Sequence, residues 1–131
     1  MALDVDKELK IFWIAGLIVL LIYGLWFFIS YESYYAILGT AGYFAPVTAR
    51  VVGAVFISWA IIVIRLLKKL DNWEKIEEWV LFAVMAQILI FIAELIGIIM
   101  YNVFSAGTII AMIVNLFFAI LGIHIIIQKR K

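Results

Sequence analysis

Four long apolar runs, broken by short polar stretches, set the pattern of this chain: Ile11 to Tyr31, Val47 to Leu67, Ile76 to Tyr101 and Thr108 to Ile127. Each reaches the roughly 20 residues that a helix needs to cross about 30 Å of hydrocarbon. The pattern predicts an all-α, polytopic membrane protein: a four-transmembrane-helix bundle forming one domain over residues 1–131. The first run is too long for a signal peptide, has Asp4, Asp6 and Glu8 in front of it and no small-residue cleavage site behind it, so it is expected to be retained.

The polar breaks differ in kind. Asn102, Ser105 and Gly107 form a brief interruption that suits a tight hairpin between the third and fourth helices. Between the second and third, Asp71 is placed to cap the third helix with Glu74 three residues on, and Glu77 and Glu78 follow where the helix dipole favours anions. Glu32 to Ala45 is longer than a turn requires and carries Gly39 and Gly42 among tyrosines, with Pro46 opening the next helix. That first connection reads as an aromatic interfacial segment, a short helix lying along the interface, or a lid over the bundle. Small residues available for close helix contact are Gly16 and Gly24, then Gly53, Ala54 and Ser58, then Ala86, Ala93 and Gly97.

Basic residues orient the bundle. Lys7, Lys10, Arg65, Lys68, Lys69, Lys75, Lys129, Arg130 and Lys131 all fall on one side, and Lys and Arg are retained on the cytoplasmic face. Both termini are therefore expected to be cytoplasmic in a multi-pass cell-membrane protein. Tyr31, Tyr34, Tyr35, Tyr43 and Phe44 would mark the outer interface, and Trp13, Trp73 and Trp79 the inner one.

Composition narrows the chemistry. With 69% apolar residues and a mean hydropathy of +1.23, no soluble domain of 131 residues could bury the chain's apolar surface. A formal charge of +1 with no basic stripe gives no case for nucleic acid. Cysteine is absent and histidine occurs once, which removes disulfides, thiolate chemistry and bis-histidine haem within one chain. No cofactor motif, phosphate loop, catalytic triad or paired catalytic carboxylates stands in the sequence, so no catalytic residue, metal ligand or cofactor is assigned. His124 and Gln128, near the end of the fourth helix, read as interfacial residues and not as a metal pair.

Against this background Glu94 stands out, alone among formal charges from Trp79 to Gln128. An ionisable group in hydrocarbon costs a few kcal/mol and needs a partner or a task. Arg50 and Glu94 lie equally far on either side of Asn72, and Glu94 and Asn115 lie nearly so about Ser105, so antiparallel helices would bring all three level. Tyr23, about 12 Å inside Tyr31 at the helical rise, reaches a similar depth. Gln87 and Tyr101 stand two turns from Glu94 on its own helical face. Tyr23, Arg50, Gln87, Glu94 and Asn115 are thus the candidate ligand- or ion-binding residues, forming a polar layer in the outer half. An Arg50 to Glu94 ion pair is one expectation; the alternative is that Arg50 snorkels outward.

In size and span number the chain resembles small multidrug transporters, although their carboxylate lies in the first helix, where this chain has none inside the span. The span layout, with Arg50 and Gly53 opening the second helix, is similar to the DoxX-like group of small membrane proteins; neither resemblance assigns a function. Three classes follow from the residues. The first is a non-enzymatic accessory, assembly or lipid-binding subunit. The second is an oligomeric ion or solute transporter using Glu94, and the third a lipid-modifying membrane enzyme near Tyr23, Arg50 and Glu94. Expected partners are membrane lipids and either further copies of the chain or a larger membrane complex.

Overall fold

A computed structural model describes residues 4–37, 46–102 and 104–131, excepting the side chains of Pro46 and Tyr101. Four helices make up the fold: α1 (Val5–Ile37), α2 (Pro46–Leu67), α3 (Trp73–Tyr101) and α4 (Ala106–Lys129). All four are long and apolar enough to cross a membrane. Bulky apolar side chains cover the outside, among them Ile29, Val47, Ile99 and Phe104, each at least 70% exposed, a surface suited to the apolar interior of a membrane. The chain is a multi-pass membrane protein.

Local chemistry sets the helix ends. Asp4 accepts the amide of Asp6 on its side chain and those of Lys7 and Glu8 on its carbonyl, which starts α1. The cap of α3 is Asn72, whose side chain accepts from the Lys75 amide at 3.3 Å, and not Asp71 as the Glu74 spacing predicts. Asn caps as well as Asp does, and the helix begins one residue later, at Trp73. At the far end of α3, Asn102 adopts the left-handed conformation (φ 51°), and Ser105 caps α4 by accepting the Thr108 amide at 3.2 Å. Two caps in so short a break produce the expected tight hairpin, and α3 packs along α4.

At 33 residues α1 is about 50 Å long, well beyond the hydrocarbon thickness. It does not run straight. The backbone leaves helical values at Ser30 (φ −132°, ψ 46°), where the Ser33 hydroxyl donates to the Ser30 carbonyl at 2.8 Å. The seven residues after this kink continue as helix, so the start of the first connection is helical; residues 38–45, including Tyr43 and Phe44, lie outside the described set.

Packing joins α1 to α2, α3 to α4 and α1 to α4, whereas α2 and α3 barely approach each other despite their short connection. Gly24 and Gly53 form the α1–α2 crossing: a Cβ at Gly53 would lie 2.7 Å from the Phe28 amide nitrogen and 2.8 Å from the Gly24 carbonyl oxygen. Of the other small residues expected at interfaces, Gly97 faces open space, while Ala54, Ser58 and Ala93 are exposed. Gly122, not anticipated, is buried where α4 meets α3 and α1; its Cβ would strike Val84 and crowd Phe12.

The tightly packed core occupies the half of the bundle that holds both termini. Leu9, Phe12 and Trp13 from α1 meet Val63 and Leu66 from α2, Ile76, Val80 and Val84 from α3, and Phe118 and Ile125 from α4. Trp13, expected at the interface, is 2% exposed and belongs to this core. Ion pairs fasten the same end: Lys129 to Asp6, and Arg130 Nε to Glu77 Oε1 at 2.6 Å.

Candidate functional site

The opposite half is hollow. A cavity of about 220 Å³ lies between the helices there, and every helix contributes to its wall: Tyr23 and Phe27 from α1, Phe56 and Trp59 from α2, Gln87 and Glu94 from α3, Ala111 and Asn115 from α4. Glu94 is half-buried and Asn115 buried, and the Asn115 side-chain amide donates to Glu94 Oε2 at 3.0 Å. The tight α3–α4 hairpin fixes this register, since the two residues stand nearly level across a turn that both ends cap.

Four of the five candidates from sequence, Tyr23, Gln87, Glu94 and Asn115, line this one cavity. Arg50 does not. It is exposed, its guanidinium lies over the Tyr31 ring 5.4 Å from the centroid, and the expected ion pair with Glu94 is absent. The physical reason is that the backbones of α2 and α3 do not approach closely, so equal counting about Asn72 sets a common height without a lateral contact, and Arg50 lies over Tyr31 of α1 instead. Tyr101, the remaining member of the α3 stripe, has its side chain outside the described set.

Sequence reasoning missed the aromatic part of the wall. The kink at Ser30 swings Tyr34 back over the cavity, where its ring meets Tyr23 at 6.0 Å, Trp26 at 5.4 Å and Phe27 at 4.2 Å between centroids. Residues 32–37 of the first connection thus continue α1 as helix and bring Tyr34 to the cavity wall. The Trp26 indole donates to Ser33 at 2.7 Å and so ties the bent segment to the straight one. Phe56 and Trp59, three apart on α2, supply the facing rings, and Trp59 reaches Phe82 of α3 at 5.1 Å, bridging two helices whose backbones stay apart. The i, i+4 pair Tyr23 and Phe27 was the available signal for this surface.

Beneath the chamber a smaller void of about 50 Å³ shares Gln87 and Trp59 with it and adds Trp13. The indole N–H groups of Trp13 and Trp59 are buried and donate to no acceptor among the described residues. Further down, the packed core closes the bundle.

At the termini end His124 Nε2 lies 3.3 Å from Oε2 of Glu8, a carboxylate that is only 8% exposed. Glu8 is remote from His124 along the chain, and the two meet only because α1 and α4 are neighbours. No cluster of three or more His, Asp and Glu that could hold a metal occurs among the described residues. A wider basin of about 510 Å³ near the same end is walled by Asp6, Lys7, Lys10, Lys68, Asp71 and Lys129. Most of these are exposed, and they are the residues expected to anchor topology. The half-open chamber is the stronger candidate, because it joins an apolar concave wall to a few convergent polar groups.

No protein-family model, curated protein or solved structure matches the chain. The chemistry of the chamber therefore has to be read from its own residues.

Proposed function

We propose that this membrane protein is a non-enzymatic binding protein that receives a small, partly polar membrane-borne molecule, such as the polar end of a lipid or amphiphile, in the chamber around Glu94. The observation that carries this reading is the cavity itself: all four helices converge on an apolar wall containing the Glu94–Asn115 pair, Tyr23 and Gln87. A pair serving only to hold helices in register needs no space beside it, because unfilled volume forfeits dispersion contacts. Binding is favoured over conduction because the packed core below the chamber offers no polar passage among the described residues. Binding is likewise favoured over catalysis, since the wall holds one carboxylate and no nucleophile–base pair.

The test is to fill the chamber. Ala111, 8% exposed and on its wall, is replaced by Phe, and wild type and variant are purified in mild detergent, their bound small molecules extracted and compared by mass spectrometry. The reading expects one or a few molecules enriched on wild type and depleted on Ala111→Phe; equal loading of two equally folded proteins would refute it.

We also propose that both termini face the cytoplasm, on the strength of the nine basic residues gathered at that end. Because the chain has no cysteine, single substitutions report sidedness cleanly. An impermeant maleimide should label Thr48→Cys in intact cells and Asp4→Cys only after permeabilisation; the reverse pattern would invert the topology.

A further inference from the structure

We infer that the chamber is built for a small organic cation, an ammonium group carrying apolar substituents. This rests on the binding reading above and names the chemistry of the guest. The first ground is the carboxylate. Asn115 occupies Oε2 of Glu94, and among the described residues Oε1 receives no protein donor. Nor does the protein supply a counter-charge: Arg50 is turned to Tyr31, and no Lys, Arg or His is among the chamber's lining residues. A carboxylate on an apolar wall attracts a cation that brings its own charge and needs little water.

The second ground is the kind of wall. Five of the fourteen lining residues are aromatic, namely Tyr23, Phe27, Tyr34, Phe56 and Trp59, and they come from α1 and α2, facing the α3 and α4 residues that carry Glu94 and Asn115. Ring faces attract cations through their quadrupole, and most strongly where water is excluded. Rings on one side with a carboxylate on the other make a cage for a diffuse positive charge. A neutral lipid tail would be served as well by the aliphatic residues that line the rest of the bundle. An anionic headgroup would be repelled by Glu94.

Size sets the third limit. At about 220 Å³ the chamber falls below the range of roughly 300–1,000 Å³ typical of drug-sized sites, so it fits a headgroup-sized cation, and its half-open side leaves room for a longer substituent to extend outward.

An isosteric pair isolates charge from shape. Phenyltrimethylammonium and tert-butylbenzene have the same outline and differ by the positive charge. Binding of each to the detergent-purified protein is measured by ligand-observed NMR, with displacement by the other, for wild type, Glu94→Gln, Tyr34→Leu and Ala111→Phe. The expected result is that the cation binds wild type at least about tenfold more tightly than its neutral isostere. Glu94→Gln should abolish the preference, Tyr34→Leu should reduce it while leaving the carboxylate in place, and Ala111→Phe should remove both ligands. Equal binding of the two ligands to wild type, both lost in Ala111→Phe, would overturn the cation assignment and leave the binding chamber standing. No binding of either ligand, together with no depletion of extracted molecules in Ala111→Phe, would overturn both. Should Glu94→Gln fail to fold, Tyr34→Leu decides: an unchanged preference there overturns the aromatic cage.

Discussion

Replacing Gly53 by Ala tests how the α1–α2 wall of the chamber is held. The new Cβ would lie 2.7 Å from Phe28 N, 2.8 Å from Gly24 O and 3.0 Å from Phe28 Cα. Ordinary carbon contacts are about 3.5–4.0 Å, so α1 must retreat by roughly 0.5–1 Å, because all three atoms are backbone and no rotamer change relieves them. Overpacking of this kind costs about 1–3 kcal/mol. In water the gain in helix propensity, about 1 kcal/mol, would offset part of that. In a bilayer or micelle the separated helices stay helical, so little of the offset survives, and a net loss of about 2 kcal/mol is expected. Gly97→Ala is the matched control: nothing lies within 4 Å of its Cβ, and its effect should stay within about 0.5 kcal/mol. Both are measured as midpoints of SDS-induced unfolding in mixed micelles by tryptophan fluorescence. A Gly53→Ala protein as stable as wild type, or a Gly97→Ala protein as damaged as Gly53→Ala, would refute the close-crossing argument.

Further expectations concern the polar contacts. A double-mutant cycle of Glu94→Leu and Asn115→Leu should return a coupling of about 1 kcal/mol, in the range seen for hydrogen bonds between membrane helices; zero coupling in the same unfolding assay would mean that the two residues act separately. Asn72→Ala removes the α3 cap and should lower stability by about 1 kcal/mol, whereas Asp71→Ala should change it little, as judged by the thermal midpoint; the opposite ranking would restore Asp71 as the cap. His124→Ala removes the imidazole 3.3 Å from Glu8 Oε2, an oxygen with no hydrogen-bond partner even beside His124, and with His124 half exposed it should change stability by no more than about 0.5 kcal/mol in the same unfolding assay; a loss well above about 1 kcal/mol would show that the pair is a strong ion pair.

What could be read from the sequence follows a physical line. Span number and hairpin positions were legible because hydrocarbon thickness and capping leave few choices, and the structure shows all four helices. Counting residues outward from a turn worked for Glu94 and Asn115, since Asn102 and Ser105 cap a turn that forces α3 against α4. The same counting failed for Arg50 because equal distance from a turn fixes height and not the direction a side chain takes: α2 and α3 share the core near the turn, while Arg50 lies over Tyr31 of α1. Tyr34 was hidden for another reason: the kink that delivers it has neither Pro nor Gly at its centre, only Ser30 bonded to Ser33. The importance of Gly122 depends on the tertiary approach of Val84 and Phe12, which no local pattern announces.

The contact between α1 and α4 carries a consequence for how the protein is made. During synthesis α1 and α2 can pair at once through Gly24 and Gly53, and α3 and α4 can pair as the second hairpin emerges. Of these four helices the first and the last then join the two hairpins, with Asp6 paired to Lys129 and His124 lying beside Glu8. Until α4 has been inserted, Glu94 has no Asn115 and the chamber has no fourth wall. A ribosome stalled before Ala106 would therefore leave Glu94 without its hydrogen-bond donor on an apolar helix, a costly polar group that the completed bundle pairs.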